Sequence, residues 1–247
     1  MEKEFKKIRK FEGEIHKRGY VLIQILIQIT LVIAIFLSIY EKNWINILVI
    51  SLTLLLIYLP KLFSKKFQIF LPLDFQTLMV LFIYMSIFLG EIGNFYEKFI
   101  WWDSILHLTS GIALGFVGFL LLYVLYRSGK FKSDPIWVAI FSFCFSVTLG
   151  VLWEIFEFWM DSIFGLNMQR AIFSLEVIKT FGSSRIAIYD TMQDFILNGI
   201  GAFIASVSSY IYLKKRGMLI FGSFVKNFED KNPRLFKNKK YPKRSIF

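Results

Sequence analysis

The chain has 247 residues, 56% of them hydrophobic, 19% aromatic and only 19% charged, with a mean hydropathy of +0.57, which excludes an ordinary soluble domain. One cysteine, Cys144, excludes disulfide frameworks, CxxC redox pairs and cysteine-rich zinc sites, and two histidines, His16 and His107, exclude an HExxH metalloprotease. The net charge of +11 would suggest nucleic acid in a soluble protein, but here Lys and Arg lie between and beyond long apolar runs, so no nucleic-acid partner is expected.

A helix needs about 20 mainly apolar residues to cross a bilayer. Six segments meet or approach that length, which predicts an all-α, polytopic helical bundle. The first is Tyr20–Tyr40, free of charge; its apolar run is longer than that of a secretory signal and no small-x-small cleavage pattern follows, so it reads as a retained anchor. The second is Trp44–Leu59, stopped by Pro60, and the third Phe75–Gly90, with Asp74 as its N-cap. The fourth runs from Ile105 to Tyr126, the fifth from Ile136 toward Met160, and the sixth from Phe195 to Leu213. Residues 1–19 then form a basic N-terminal tail, 20–213 a transmembrane domain, and 214–247 a basic C-terminal tail.

Cytoplasmic connections retain the excess of Lys and Arg. The N-terminal tail holds 7, Lys61–Lys66 3, Arg127–Lys132 3 and the chain from Lys214 11, so 24 fall on one side; Lys42, Lys98, Arg170, Lys179 and Arg185 fall on the other. Both termini are therefore expected in the cytoplasm, in a cell membrane. The basic tails, His16 among them, would contact anionic lipid headgroups. Trp44, Trp101, Trp102, Trp153 and Trp159 fall near the outer ends of the spans, where amphipathic rings prefer the interface.

Ionisable residues within a span cost about 2.5–3.5 kcal/mol each on insertion scales and so mark candidate functional positions. Glu91 ends the third span, Asp103 and His107 begin the fourth, Glu154, Glu157 and Asp161 end the fifth, and Asp190, Asp194 and Asn198 begin the sixth. All nine lie toward the extracytoplasmic side. Asp103 and His107 are i,i+4; Glu154, Glu157 and Asp161 are i, i+3, i+7; Asp190, Asp194 and Asn198 are i, i+4, i+8, so three helices each carry a polar stripe. Stripes facing lipid would be unstable, and turning them toward one another makes an outward-facing polar cavity. Gly111, Gly115, Gly118, Gly199 and Gly201 would let the backbones approach there. Glu91 and Asp161 read as solvated or paired acids at the headgroups.

Asp103-x3-His107-x3-Gly111-Ile-Ala also echoes Asp190-x3-Asp194-x3-Asn198-Gly-Ile-Gly-Ala, a weak sign of duplication. Seven carboxylates near one cavity need compensation, by a cation, by protons, or by Arg170, Lys179 and Arg185. Oxygen-rich donors suit Mg²⁺, Ca²⁺ or Mn²⁺, and one imidazole admits Mn²⁺, Fe²⁺ or Zn²⁺. A rhomboid-type serine site lacks its first glycine and second histidine, and an intramembrane aspartyl protease lacks its GxGD partner. Residues 171–179 could form a short amphipathic helix, either a lid or an interfacial segment.

Trp102-Asp103-x3-His107-x3-Gly111, Glu154-x2-Glu157-x3-Asp161, Gln169 and Tyr189-Asp190-x3-Asp194-x3-Asn198-x2-Gly201 resemble the YjdF family of uncharacterised membrane proteins and, more loosely, VanZ-like proteins. The resemblance covers about 100 residues of the second half. Against the VanZ-like pattern, Glu157, Gln169, Asp194, Asn198 and Gly201 correspond. It implies a polytopic fold, and through the VanZ-like members a link to low-level glycopeptide resistance at the cell envelope, without an established reaction.

The residues support three expectations. In the first, the protein is a divalent-cation-assisted enzyme acting on a lipid or lipid-linked envelope substrate. His107, Glu154, Glu157, Asp190 and Asp194 would hold the metal, Asp103 would orient His107, and His107, Asp103 and Glu157 would be the candidate catalytic residues, with Asp161, Gln169 and Asn198 in support. The second is a cation- or proton-coupled transporter, weakened because the inner halves of the last three spans offer mainly Ser142, Ser146, Thr148, Ser206, Ser208 and Ser209. The third is a non-catalytic assembly or regulatory subunit.

Overall fold

The computed structural model describes residues 2–165, 167–169, 183–215 and 219–236, and among these there is no strand. The helices are α1 (Glu2–Tyr40), α2 (Trp44–Phe67), α3 (Leu73–Ile83) continued by a π-helical segment (Tyr84–Ile92), α4 (Phe95–Lys98), α5 (Trp102–Arg127), α6 (Pro135–Phe164), α7 (Ser183–Lys215), α8 (Leu219–Lys231) and a 3₁₀ turn (Pro233–Phe236). Among the described residues six stretches are long and apolar enough to cross a membrane: Arg18–Tyr40, Trp44–Phe67, Leu73–Ile92, Trp102–Arg127, Pro135–Phe164 and Arg185–Lys214. This is an all-helical, multi-pass membrane protein.

Several boundaries move. Pro60 does not stop α2, which runs on to Phe67 and ends where Gln68 takes the left-handed conformation (φ 55°). Proline removes one helical hydrogen bond, a loss that spanning helices tolerate. The basic N-terminal segment continues α1 rather than preceding it, and the C-terminal segment contains α8. The N-cap of α3 is Pro72; Asp74 sits in the first turn. Its charge acts on Lys231, opposing the burial that pushes the Lys231 ammonium below its ordinary value. Trp102 is buried, whereas Trp44, Trp101, Trp153 and Trp159 are exposed, as interfacial rings would be.

The chain divides into two compact units, Met1–Phe99 with Phe224–Pro233, and Ile100–Ser223 with the chain from Arg234 on. The N-terminal unit has an aliphatic core of Ile27, Leu31, Ile50, Ile57 and Val80. Polar side chains bond between its helices: Gln28 donates to Tyr58 (2.8 Å), and the Thr30 and Tyr84 hydroxyls lie 2.9 Å apart. Asn232 is buried in the same unit, where its amide takes the Phe70 N–H and donates to the Phe70 carbonyl, both at 2.7 Å.

The C-terminal unit is α5, α6 and α7, and small residues set its register. Gly111 faces the Asn198 backbone, Gly115 faces Ala205, and Gly201 faces the Leu108 carbonyl and Ile112 amide, so α5 and α7 run parallel. Ser142 donates to the Gly115 carbonyl (2.6 Å) and Ser146 to that of Gly111 (2.8 Å), so α6 runs antiparallel to α5. Ser206 donates to the Ala139 carbonyl at 2.7 Å, tying α7 to α6. Lipid offers helices little hydrophobic reason to associate, and close backbones with hydroxyl bonds supply the packing instead. Gly199 meets nothing, while Gly150 lies against the Asn198 amide. The side of α7 that packs is thus one residue away from Gly199, about 100° around the helix.

Candidate functional site

In each helix of the C-terminal unit one stripe carries both packing and polar groups. On α5 it reads Asp103, His107, Gly111, Gly115; on α6, Ser142, Ser146, Gly150, Glu154; on α7, Asp194, Asn198, Gly201, Ala205. Spacings of three and four keep each set on one face. The seam of small residues therefore turns the polar ends of the stripes inward at one end of the unit, where α5 and α7 begin and α6 finishes.

His107 stands at the centre of that end. Its Nε2 lies 3.7 Å from Asp103 Oδ1 and 3.8 Å from Asp194 Oδ2, and its Nδ1 lies 3.7 Å from Glu154 Oε1. Side-chain exposure is 11% for His107, 16% for Asp103, 3% for Glu154 and 2% for Asp194. Asp103 lies in the first turn of α5, where the helix dipole favours a carboxylate. Among the described residues neither oxygen of Glu154 has a hydrogen-bond partner; the Thr191 hydroxyl stands near it, short of hydrogen-bond geometry.

Asp103, His107 and Asp194 form a group that could hold a metal ion: one donor atom from each lies within 4.8 Å of the others. Donors 2.0–2.2 Å from a shared tetrahedral ion lie about 3.3–3.6 Å apart, so the two spacings from His107, 3.7 and 3.8 Å, need to contract by only a few tenths of an ångström. Glu154, Glu157 and Asp190 are outside this group. Glu157 is buried, accepts the Trp153 indole N–H at 2.7 Å, and feels the charges of Glu154, Asp103 and Asp194. Asp190 is half-buried, one turn before Asp194.

The supporting residues do different work. Asn198 is buried between Gly111 and Gly150 and packs the three helices. Asp161 is half-buried, and its carboxylate takes the backbone N–H of Met168 (2.7 Å) and of Gln169 (2.9 Å). Gln169 in turn donates its side-chain amide to Thr191 at 3.1 Å. Glu91 belongs to the N-terminal unit, within its π-helical segment. Arg170, Lys179 and residues 171–179 lie outside the described residues. Sequence reasoning missed Gly150, Thr191, the Trp153 bond to Glu157, and Gln193, which donates to Ser104 at 2.8 Å between α7 and α5. The four-residue spacing of Gly150 from Glu154 was the available signal for the first.

A family model described as "Predicted membrane protein (DUF2238)" matches residues 21–215, which take in every candidate site residue and all but the first three residues of the six spans. The chain belongs to the DUF2238 family. This DUF2238 member is also 27% identical, over 136 residues, to an uncharacterised protein of Thermotoga maritima; the alignment covers 55% of this chain and 60% of the relative's length. No solved structure matches the chain.

Proposed function

We propose that this protein is a membrane enzyme in which a divalent cation, held by Asp103, His107 and Asp194, acts on a lipid or lipid-linked substrate of the cell envelope. The observation that carries this reading is the meeting of two carboxylates at one imidazole nitrogen, with a third, buried carboxylate at the other. Three protein donors leave coordination positions for water or substrate, the arrangement of catalytic rather than structural ions. A divalent cation there would polarise a phosphoryl or ester oxygen and acidify bound water. Glu157, held by Trp153 beside the group, is the acid placed to exchange a proton with a substrate. The VanZ-like pattern at Glu157, Gln169, Asp194, Asn198 and Gly201 supports an envelope role.

The seam favours chemistry at one end of the unit over transport through it. Ser142, Ser146 and Ser206 are committed to neighbouring backbone carbonyls, and Ser208 and Ser209 to their own helix. Beyond them Phe119, Tyr123 and Tyr212 pack ring against ring, with Phe119 fully buried. An ion relay needs polar groups in succession across the bilayer, and this interior spends its described hydroxyls on packing.

Elemental mass spectrometry on protein purified without chelators tests the metal. Near-stoichiometric metal in the wild type, lost in His107→Ala and Asp194→Ala, is expected; equal metal in all three overturns the assignment. Mass spectrometry of membrane lipids incubated with the purified protein tests the chemistry, with turnover expected from the wild type and not from Asp194→Ala. Ion flux in proteoliposomes that Asp194→Asn abolishes would replace catalysis with transport.

A further inference from the structure

The two nitrogens of His107 face different partners. Nε2 faces Asp103 and Asp194, while Nδ1 faces Glu154. The lone pairs of an imidazole leave opposite edges of the ring, so an ion bound at Nε2 is not shared with a carboxylate lying at Nδ1. We propose that Glu154 is a positioning residue rather than a ligand: closing from 3.7 Å when an ion binds, it accepts the Nδ1–H of His107, fixes that tautomer, and so aims the Nε2 lone pair between Asp103 and Asp194. This rests on the metal reading above and assigns Glu154 and Asp103 the reverse of the roles their sequence positions suggest.

Three further observations support it. The ligand group closes at Asp103, His107 and Asp194 without Glu154. Glu154 is 3% exposed, and neither of its oxygens has a hydrogen-bond partner among the described residues; a buried carboxylate without a donor is costly, and the imidazole N–H beside it is the described group that relieves that cost. Behind Glu154, Thr191 accepts the Gln169 amide, which leaves the Thr191 hydroxyl hydrogen to turn toward Glu154. Asp161 holds the Gln169 backbone in place. A line of contacts therefore runs from Asp161 through Gln169 and Thr191 to Glu154 and on to His107. A second carboxylate that holds a ligating histidine in this way is worth about 10–100-fold in metal affinity.

The experiment titrates Co²⁺ into the full-length, detergent-purified, metal-stripped protein, reading both affinity and the visible ligand-field spectrum, for wild type, Glu154→Gln and Glu154→Ala. Glu154→Ala is expected to bind about 10–100-fold more weakly with an unchanged spectrum, because the coordinating atoms remain. Glu154→Gln keeps a carbonyl acceptor for Nδ1–H and the same shape, and is expected to recover most of the affinity, which a folding defect at this position would not allow. A changed spectrum in Glu154→Ala, with no recovery in Glu154→Gln, makes Glu154 a direct ligand and overturns the proposal. Wild-type affinity in Glu154→Ala overturns it as well while leaving the metal reading intact. A wild type that binds no Co²⁺ overturns both.

Discussion

The two three-span units of this protein hold themselves together by different means. The N-terminal unit interlocks aliphatic side chains, Ile27, Leu31, Ile50, Ile57 and Val80, and its interhelical hydrogen bonds join hydroxyls and amides at partly exposed positions. The C-terminal unit has glycine, alanine and serine along its contacts and three carboxylates around one histidine at its end. Side chains that interlock can adjust; backbones in contact cannot. The unit carrying the cluster around His107 is thus also the one whose geometry is set by backbone contact. A metal site of the kind proposed above would demand it, since its donors would have to be held within fractions of an ångström.

The largest way to break the contrast is to add one methyl group to the seam. A Cβ on Gly201 would run into the Leu108 carbonyl and the Ile112 amide, whereas one on Gly199 would meet nothing. Gly201→Ala is expected to cost about 3 kcal/mol, at the upper end for overpacking, because backbone is what must move. Gly199→Ala is expected to be neutral or to stabilise by about 0.5–1 kcal/mol, the ordinary gain of alanine over glycine in a helix. Thermal unfolding in detergent reads both, and equal losses would mean that α7 packs with a different face.

A smaller effect belongs to the N-terminal unit. Asn232 pairs with both backbone groups of Phe70 while almost fully buried, so Asn232→Ala leaves those groups without partners and is expected to cost about 1–3 kcal/mol. Metal content measured on the same preparation should not change. Loss of metal in Asn232→Ala would show that the two units are energetically one, and the contrast between them would fail.

Much of this was legible in the sequence, and the part that was not has a physical reason. The six spans follow from apolar length, and the polar stripes follow from the 3.6-residue period, because a membrane penalises any other placement of Asp103, Glu154 or Asp194. Period alone fixes which residues share a face but not how far each helix is rotated or slid along its neighbour. Gly199 and Gly201 therefore read alike until Asn198 was found between Gly111 and Gly150. The same ambiguity hid which carboxylate faces which nitrogen of His107, since Asp103 at i,i+4 is as plausible an orienting partner as Glu154 from another helix. Asp161 looked like a headgroup acid because its partners are backbone amides, which leave no mark on composition. Pro60 read as a stop because helices in water end there, whereas a spanning helix continues.

The finest test concerns the hydroxyls. Ser146 donates from α6 to the Gly111 carbonyl of α5, while Ser208 donates to Ile204 on its own helix. Each carbonyl sits in a helix and already has a helical partner, so removing either serine leaves no unsatisfied acceptor, and only the interhelical bond contributes to association. Ser146→Ala is expected to cost about 0.6 kcal/mol, the average for such bonds in a membrane bundle, and Ser208→Ala about nothing. The double variant Ser142→Ala/Ser146→Ala should lose about twice as much if the two bonds act independently, and unfolding in detergent resolves that sum better than either single loss. A loss of several kcal/mol from Ser146→Ala alone would mean that the seam depends on its hydroxyls more than on close backbones, and the glycine contrast should then shrink in proportion.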